Sequence, residues 1–204
     1  MAPAPVSGTE GFAEQAHALL THYESISPDH AHRAVKHLFP DKPAHILDIG
    51  AGTGRDAAWF AAKGHRVVAV EPTEALRTAA IALHPSPLIA WLDDSLPDLA
   101  VLRGRQERFD LVMLTAVWMH LDAEQRGAAM PNVTDSLAIG GTLIMTLRHG
   151  PMPSGRRMFE VSAQETIALA RLQGLRVVLN EETESSGAHN RAAGVTWTVL
   201  AFGT

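Results

Sequence analysis

Cysteine is absent from these 204 residues. Its absence excludes disulfides, thiolate nucleophiles, cysteine-ligated zinc and iron–sulfur clusters. Positive charge is scarce as well: 17 Lys and Arg stand against 22 Asp and Glu, a net charge of −5. Proteins that hold nucleic acid by bulk charge carry a basic stripe, so no nucleic-acid partner is expected. No apolar run approaches the roughly 18 residues that would span a bilayer. The opening Met1-Ala2-Pro3-Ala4-Pro5 also lacks the charged and apolar regions of a secretory signal. The expectation is a cytoplasmic protein with no membrane partner. A chain of this length suits one domain and buries about 70% of its unfolded surface, enough to fold without metal or crosslinks.

The pattern predicts a disordered tail over residues 1–9 and a single domain over 10–204, divided into a helical cap (10–40) and a core (41–204). In the cap, Phe12, Ala16, Leu19, Leu20 and Tyr23 recur at helix spacing. Ser27-Pro28-Asp29 opens a second helix, expected through Leu38. Strands are predicted at His45–Ile49, Arg66–Val70, Leu88–Trp91, Leu111–Thr115, Thr142–Leu147, Leu175–Leu179 and Val195–Phe202. Helices begin near Arg55, Thr73, Leu96 and Asp122, and after the Ser162-x-x-Glu165 capping box. The helix from Asp122 is expected to kink or break at Pro131 and to end at Gly140-Gly141. Short apolar strands alternating with helices imply a Rossmann-like, mostly parallel sheet of seven strands in a three-layer α/β sandwich. The last two strands have no convincing helix between them, so they are expected to form an antiparallel hairpin at the sheet edge.

The most informative stretch is Asp48-Ile49-Gly50-Ala51-Gly52-Thr53-Gly54-Arg55. A strand runs into three glycines at alternate positions and then directly into a helix, whose first N–H groups are unpaired. Arg55 stands where a dinucleotide fingerprint needs its last glycine. Glu71, followed by Pro72, closes the next strand 21 residues after Gly50. An acid there is placed to accept hydrogen bonds from both ribose hydroxyls, which supports an adenosine ligand and disfavours a 2′-phosphate.

These residues resemble motif I and its acidic partner in the class I S-adenosylmethionine-dependent methyltransferases. The similarity extends over nearly the whole chain. It includes Asp93-Asp94 after the third strand, Phe109–Leu114 as the fourth, Gly140-Gly141 before the fifth, and the closing hairpin. The resemblance implies S-adenosyl-L-methionine as cofactor and S-adenosyl-L-homocysteine as product. It also implies that Gly50, Ala51, Gly52 and Gly54 shape the loop at the methionine moiety, with Asp48 orienting it or reaching the ammonium through water. Glu71 and Pro72 would border the ribose, Asp93 or Asp94 the adenine, and Thr115-Ala116 the amino group. The chain lacks the Asn/Asp-Pro-Pro-Tyr/Phe motif after the fourth strand, reading Thr115-Ala116-Val117-Trp118 instead. That departure and the missing cysteine point to a small-molecule acceptor.

Among 11 histidines, His120 and His149 follow the carboxyl ends of strands, where α/β folds bind ligands. Either is a candidate general base, with His149 slightly favoured. His30, His32 and His37 lack metal-ligand spacing and read as solvated. Tyr23, the only tyrosine, is either a core residue or a group that closes over the cofactor. Arg148, Arg156 and Arg157 are placed to clamp an acidic acceptor, and Trp118 to wall its pocket or join the core. The function expected is methyl transfer from S-adenosylmethionine to O, N or C of a small molecule. An NAD-type nucleotide-binding protein and a non-catalytic methyltransferase-like subunit are the rivals.

Overall fold

The computed structural model describes residues 6–185 and 187–204. Its core is one seven-stranded sheet built from β1 (His45–Ile49), β2 (Arg66–Val70), β3 (Ile89–Leu92), β4 (Phe109–Thr115), β5 (Leu137–His149), β6 (Arg176–Glu184) and β7 (Thr196–Gly203). The spatial order is β3-β2-β1-β4-β5-β7-β6. The first five strands run parallel. β7 is antiparallel to both β5 and β6, so the expected terminal hairpin is present, with its second strand on the inside.

Side chains alternate across the pleat and fill two layers. On one face Leu47, Ile49, Val112 and Leu114 meet Leu102 of α5 (Ala100–Arg105), Met130 of α6 (Ala123–Asp135) and Ala170 of α7 (Ala163–Leu172). On the other, Ile46, Leu111 and Met113 meet Ala57 and Phe60 of α3 (Arg55–Ala62). Two further helices are α4 (Glu74–Leu83) and, between β6 and β7 where no helix is expected from the sequence, the short α8 (Ala188–Ala192).

Several boundaries differ from expectation. α6 runs unbroken through Pro131, because its buried face (Ala129, Met130, Val133) continues past the one hydrogen bond that proline removes. It ends at Asp135, not at Gly140-Gly141. Those glycines lie within β5, in a bulge where pairing jumps from Phe109↔Leu137 to Leu111↔Thr142. A Cβ on Gly141 would lie 2.9 Å from the carbonyls of Ala138 and Phe109.

In the cap, α1 (Ala16–Glu24) is followed by α2, only Pro28–Ala31, and a 3-10 turn at Lys36–Leu38. The second helix breaks at His32, whose ring is drawn inward to Asp56. Of the expected tail, residues 1–5 lie outside the described residues. Residues 6–9 form turns, and Ser7 accepts hydrogen bonds from Gln125 and Arg157. Among the described residues no helix is long and apolar enough to cross a membrane.

Candidate functional site

A cavity of about 820 Å³ lies over the carboxyl ends of β1, β2, β4 and β5, between the sheet and the cap. That volume is in the upper part of the roughly 300–1,000 Å³ typical of ligand sites. At one end is the glycine turn. The N–H groups of Gly50 and Ala51 both donate to the Val70 carbonyl, at 2.8 and 2.9 Å, which folds the loop onto the end of β2. Gly50 and Gly52 take φ of +73° and +57°, a region that L side chains rarely enter. Their neighbourhoods differ. A Cβ on Gly50 would lie 2.5 Å from Val117 Cγ2, whereas one on Gly52 would meet only the Gly50 carbonyl, at 4.0 Å. Gly52 therefore keeps space open for a ligand.

Glu71 stands beside this turn, buried. Its Oε2 accepts from Gly52 N–H and its Oε1 from Thr73 N–H, both at 2.8 Å. Burial raises its pKa against those two donors. Arg77 donates to the Glu71 carbonyl at 2.6 Å and to Asp93 at 2.9 Å, tying the ends of β2 and β3 together.

Beneath the turn lies a buried charge network that sequence reasoning missed. Asp56 bridges to His32 Nε2 and to Arg55, each at 2.8 Å, which holds its pKa far below the usual carboxylate range. Asp48 is 2% exposed, and its Oδ2 has no partner among the described residues. Burial, with Asp56 adding to it, pushes its pKa well up. A buried carboxylate oxygen left unpaired at a cavity wall is costly unless a ligand cation or donor meets it. His32, read from sequence as solvated, is 1% exposed. Only its partner Asp56, 24 residues away, shows why, and no local spacing reports that pairing.

The other end is built from the loop after β4, the end of β5 and the N-terminal segment. Ala116 has φ of +59°, a strained value for a residue with a Cβ, and its N–H donates to Thr146 Oγ1 at 2.8 Å. The 3-10 turn Trp118–His120 follows. His120 Nδ1 sits 2.7 Å from the Arg157 carbonyl. A carbonyl only accepts, so Nδ1 carries the proton and Nε2 keeps its lone pair. Burial lowers the His120 pKa, and the charges of Arg156 and Arg148 lower it further. Phe12 meets the His120 ring edge-on at 5.3 Å, and Arg156 lies 3.7 Å over Phe12. Gln15 accepts from Arg156 and donates to the Ser154 carbonyl. These contacts bring residues 7–15 over this end of the cavity. Arg156 was expected at the acceptor, but its seat on Phe12 was not, since neither periodicity nor motif marks a loop-to-loop contact.

Of the expected site residues, Asp48, Gly50, Ala51, Gly52, Glu71, Pro72, Asp94, Thr115, Ala116, Tyr23, His120, Arg148 and Arg156 border the cavity. Five do not, among them Arg157, which pairs with Glu10 and Asp122. Gly54 caps α3 at φ +81° with its Cα facing Trp91, so it is structural. Asp93 projects outward to Arg77. Trp118 is fully buried in the core, since the 3-10 turn sends it inward and His120 outward. His149 is still within β5, where it pairs with Thr196, and its Nε2 meets Thr198 Oγ1 at 2.8 Å. Successive strand residues face opposite ways, so Arg148 borders the cavity and His149 does not. Asp94 does border it, but both its oxygens already accept backbone N–H groups, from Ser95 and Leu102.

Residues 46–141 match a family model described as a methyltransferase domain. An uncharacterized methyltransferase of Mycobacterium tuberculosis is 28% identical over 128 residues, which cover 59% of this chain and 46% of that relative. The chain thus spans about half the length of the curated relatives it matches. Among solved structures, Burkholderia thailandensis 1,6-didemethyltoxoflavin-N1-methyltransferase superposes with a TM-score of 0.69 at 22% identity, over 100% of this chain and 92% of its own. The N-methyltransferase NodS of Bradyrhizobium japonicum superposes with a TM-score of 0.66 at 17% identity, over 93% and 98%. The [4+2]-cyclase SpnF reaches 0.73 at 15% identity, over 98% and 97%. At these identities the likeness establishes the fold, and the cyclase shows that the fold serves more than one chemistry.

Proposed function

We propose that this chain binds S-adenosylmethionine and methylates a nucleophilic O, N or C of a small molecule, a reading supported by the methyltransferase-domain match over residues 46–141 and by the sheet order. The observation that carries this reading is one cavity with the glycine turn and Glu71 at one end and the unpaired Nε2 of His120 at the other. The residues fit the cofactor. The space in front of Gly52 admits its methionine part, and Glu71 at the end of β2 is positioned for ribose hydroxyls. The unpartnered Oδ2 of Asp48 suits an ammonium, directly or through water. Asp94 would border the adenine, each carboxylate oxygen keeping a second lone pair beyond the backbone N–H that it accepts.

When bound, the cofactor supplies an activated methyl group on a sulfonium. The chain's contribution is alignment and exclusion of water, by the cap and residues 7–15. An acceptor that arrives protonated gives its proton to His120 Nε2, while the Arg157 carbonyl steadies the imidazolium through Nδ1–H. Tyr23 and Arg148 border the acceptor end and position the molecule there.

Calorimetry with S-adenosylhomocysteine and NAD tests the cofactor. Tight binding of the first and weak binding of the second is expected, and the reverse would overturn the reading. Glu71→Ala should cost about 1.5–3 kcal/mol of that binding, as for hydrogen bonds to a charged group. Labelled S-adenosylmethionine incubated with a metabolite extract, followed by mass spectrometry, identifies the acceptor.

A further inference from the structure

Two arginines reach the acceptor end without a carboxylate to neutralise them. Arg148, at the end of β5, donates from Nη1 to the Pro151 carbonyl at 2.7 Å. Arg156 donates from Nη2 to the Gln15 amide oxygen at 3.0 Å, and its buried Nε has no partner. Both border the cavity, and among the described residues neither forms a salt bridge. Their neighbour Arg157 is different, since it is paired with both Glu10 and Asp122. Both unneutralised charges are felt at His120.

The unpaired donor Arg156 Nε is buried, which is unfavourable without a counter-ion, while Arg148 is only half-buried; a planar carboxylate satisfies such forks best. At the other end of the cavity the carboxylates Asp56 and Glu71 each have their partners. Two arginines without a salt-bridge partner thus border the cavity near His120, in a chain whose net charge is −5.

We infer that the methyl acceptor is a small organic acid, its carboxylate held by Arg148 and Arg156 and its nucleophilic O–H or N–H directed at His120 Nε2. This deepens the methyltransferase reading and rests on it. In the step itself the acceptor heteroatom forms a bond to the methyl carbon and the S–CH₃ bond breaks with its electron pair going to sulfur. The heteroatom's proton passes to His120 and then to water. The product keeps its carboxylate.

The test is calorimetric and needs no knowledge of the natural acceptor. Protein saturated with S-adenosylhomocysteine is titrated with salicylate, 3-hydroxybenzoate, anthranilate and lactate, each paired with its neutral amide. At least one acid should bind about ten- to hundredfold more tightly than its amide, the range set by hydrogen bonds to a charged group. Arg148→Gln should remove most of that preference and leave S-adenosylhomocysteine binding unchanged, which also shows that the variant is folded. Arg156→Lys, which keeps the charge but loses the fork, should lose part of it. Acids that bind no better than their amides, absence of any acid binding included, would overturn the inference and leave the methyltransferase reading intact. Failure of S-adenosylhomocysteine to bind wild-type protein would instead remove the reading beneath it.

Discussion

Because the Arg157 carbonyl can only accept, His120 presents Nε2 as a base, and its lowered pKa keeps it neutral to a lower pH than an ordinary histidine. His120→Ala should therefore lower turnover by about 10²–10⁴-fold, the usual range for a general base. His149→Ala should be near normal. The acid limb of kcat/KM, which reports the free protein, should fall below the ordinary histidine value, because burial lowers the His120 pKa, with Arg156 and Arg148 adding to it against the Arg157 bond and Glu10. Equal losses in both variants would remove His120 from the base role. Asp48 carries the opposite sign. Its folded pKa is raised, so the folded state binds the extra proton and stability falls as pH rises through that value. Asp48→Asn should raise the thermal midpoint at pH 8, with the gain shrinking toward pH 4. Over the same pH range it should weaken S-adenosylhomocysteine binding, because stability and binding oppose each other at such a site. A midpoint unchanged at pH 8 would mean that the carboxylate is not strained in the free protein.

The element that positions most of the site is the turn between β1 and α3, and its two inner glycines serve different ends. Gly52→Ala should cost the free protein only about 1–2 kcal/mol for its left-handed backbone, yet obstruct the cofactor. Gly50→Ala should unfold or misfold the loop, since its Cβ would collide with Val117. Denaturant melts of both, read beside calorimetry, separate the two roles. This element was legible because its signal is local: a strand, glycines at fixed spacing, a helix and an acid at the next strand end. β1 and β2 match their predicted bounds to the residue. The misread positions are those where a distant partner decides. His32 is buried by Asp56, and His149 became strand because Thr196 extends β5 beyond its apolar stretch. Gly140-Gly141, a plausible helix ending in isolation, became a bulge because Phe109 fixes the register.

At the scale of the molecule, the cavity is closed by segments from opposite ends of the sequence. Residues 7–15 meet residues 153–157 and His120 through Phe12, Gln15 and Ser7, contacts without periodicity and so without a sequence signature. Removing residues 1–15 should raise the acceptor KM far more than it weakens S-adenosylhomocysteine binding. If both weakened equally, this segment would belong to the cofactor's half of the site. Sheet order carries another consequence. β7 is inserted between β5 and β6, which are not neighbours in the sheet, so a strand synthesised after both fills the gap between them. Until it emerges, β5 holds open the eight-residue edge Thr142–His149 and β6 lacks its neighbour in the sheet. Trp197 and Val199, which border the cavity, arrive in that same strand. Nascent chains therefore pass through a stage with unpaired edges and no competent pocket, the state in which a chaperone has most to hold and a cell most to lose by crowding.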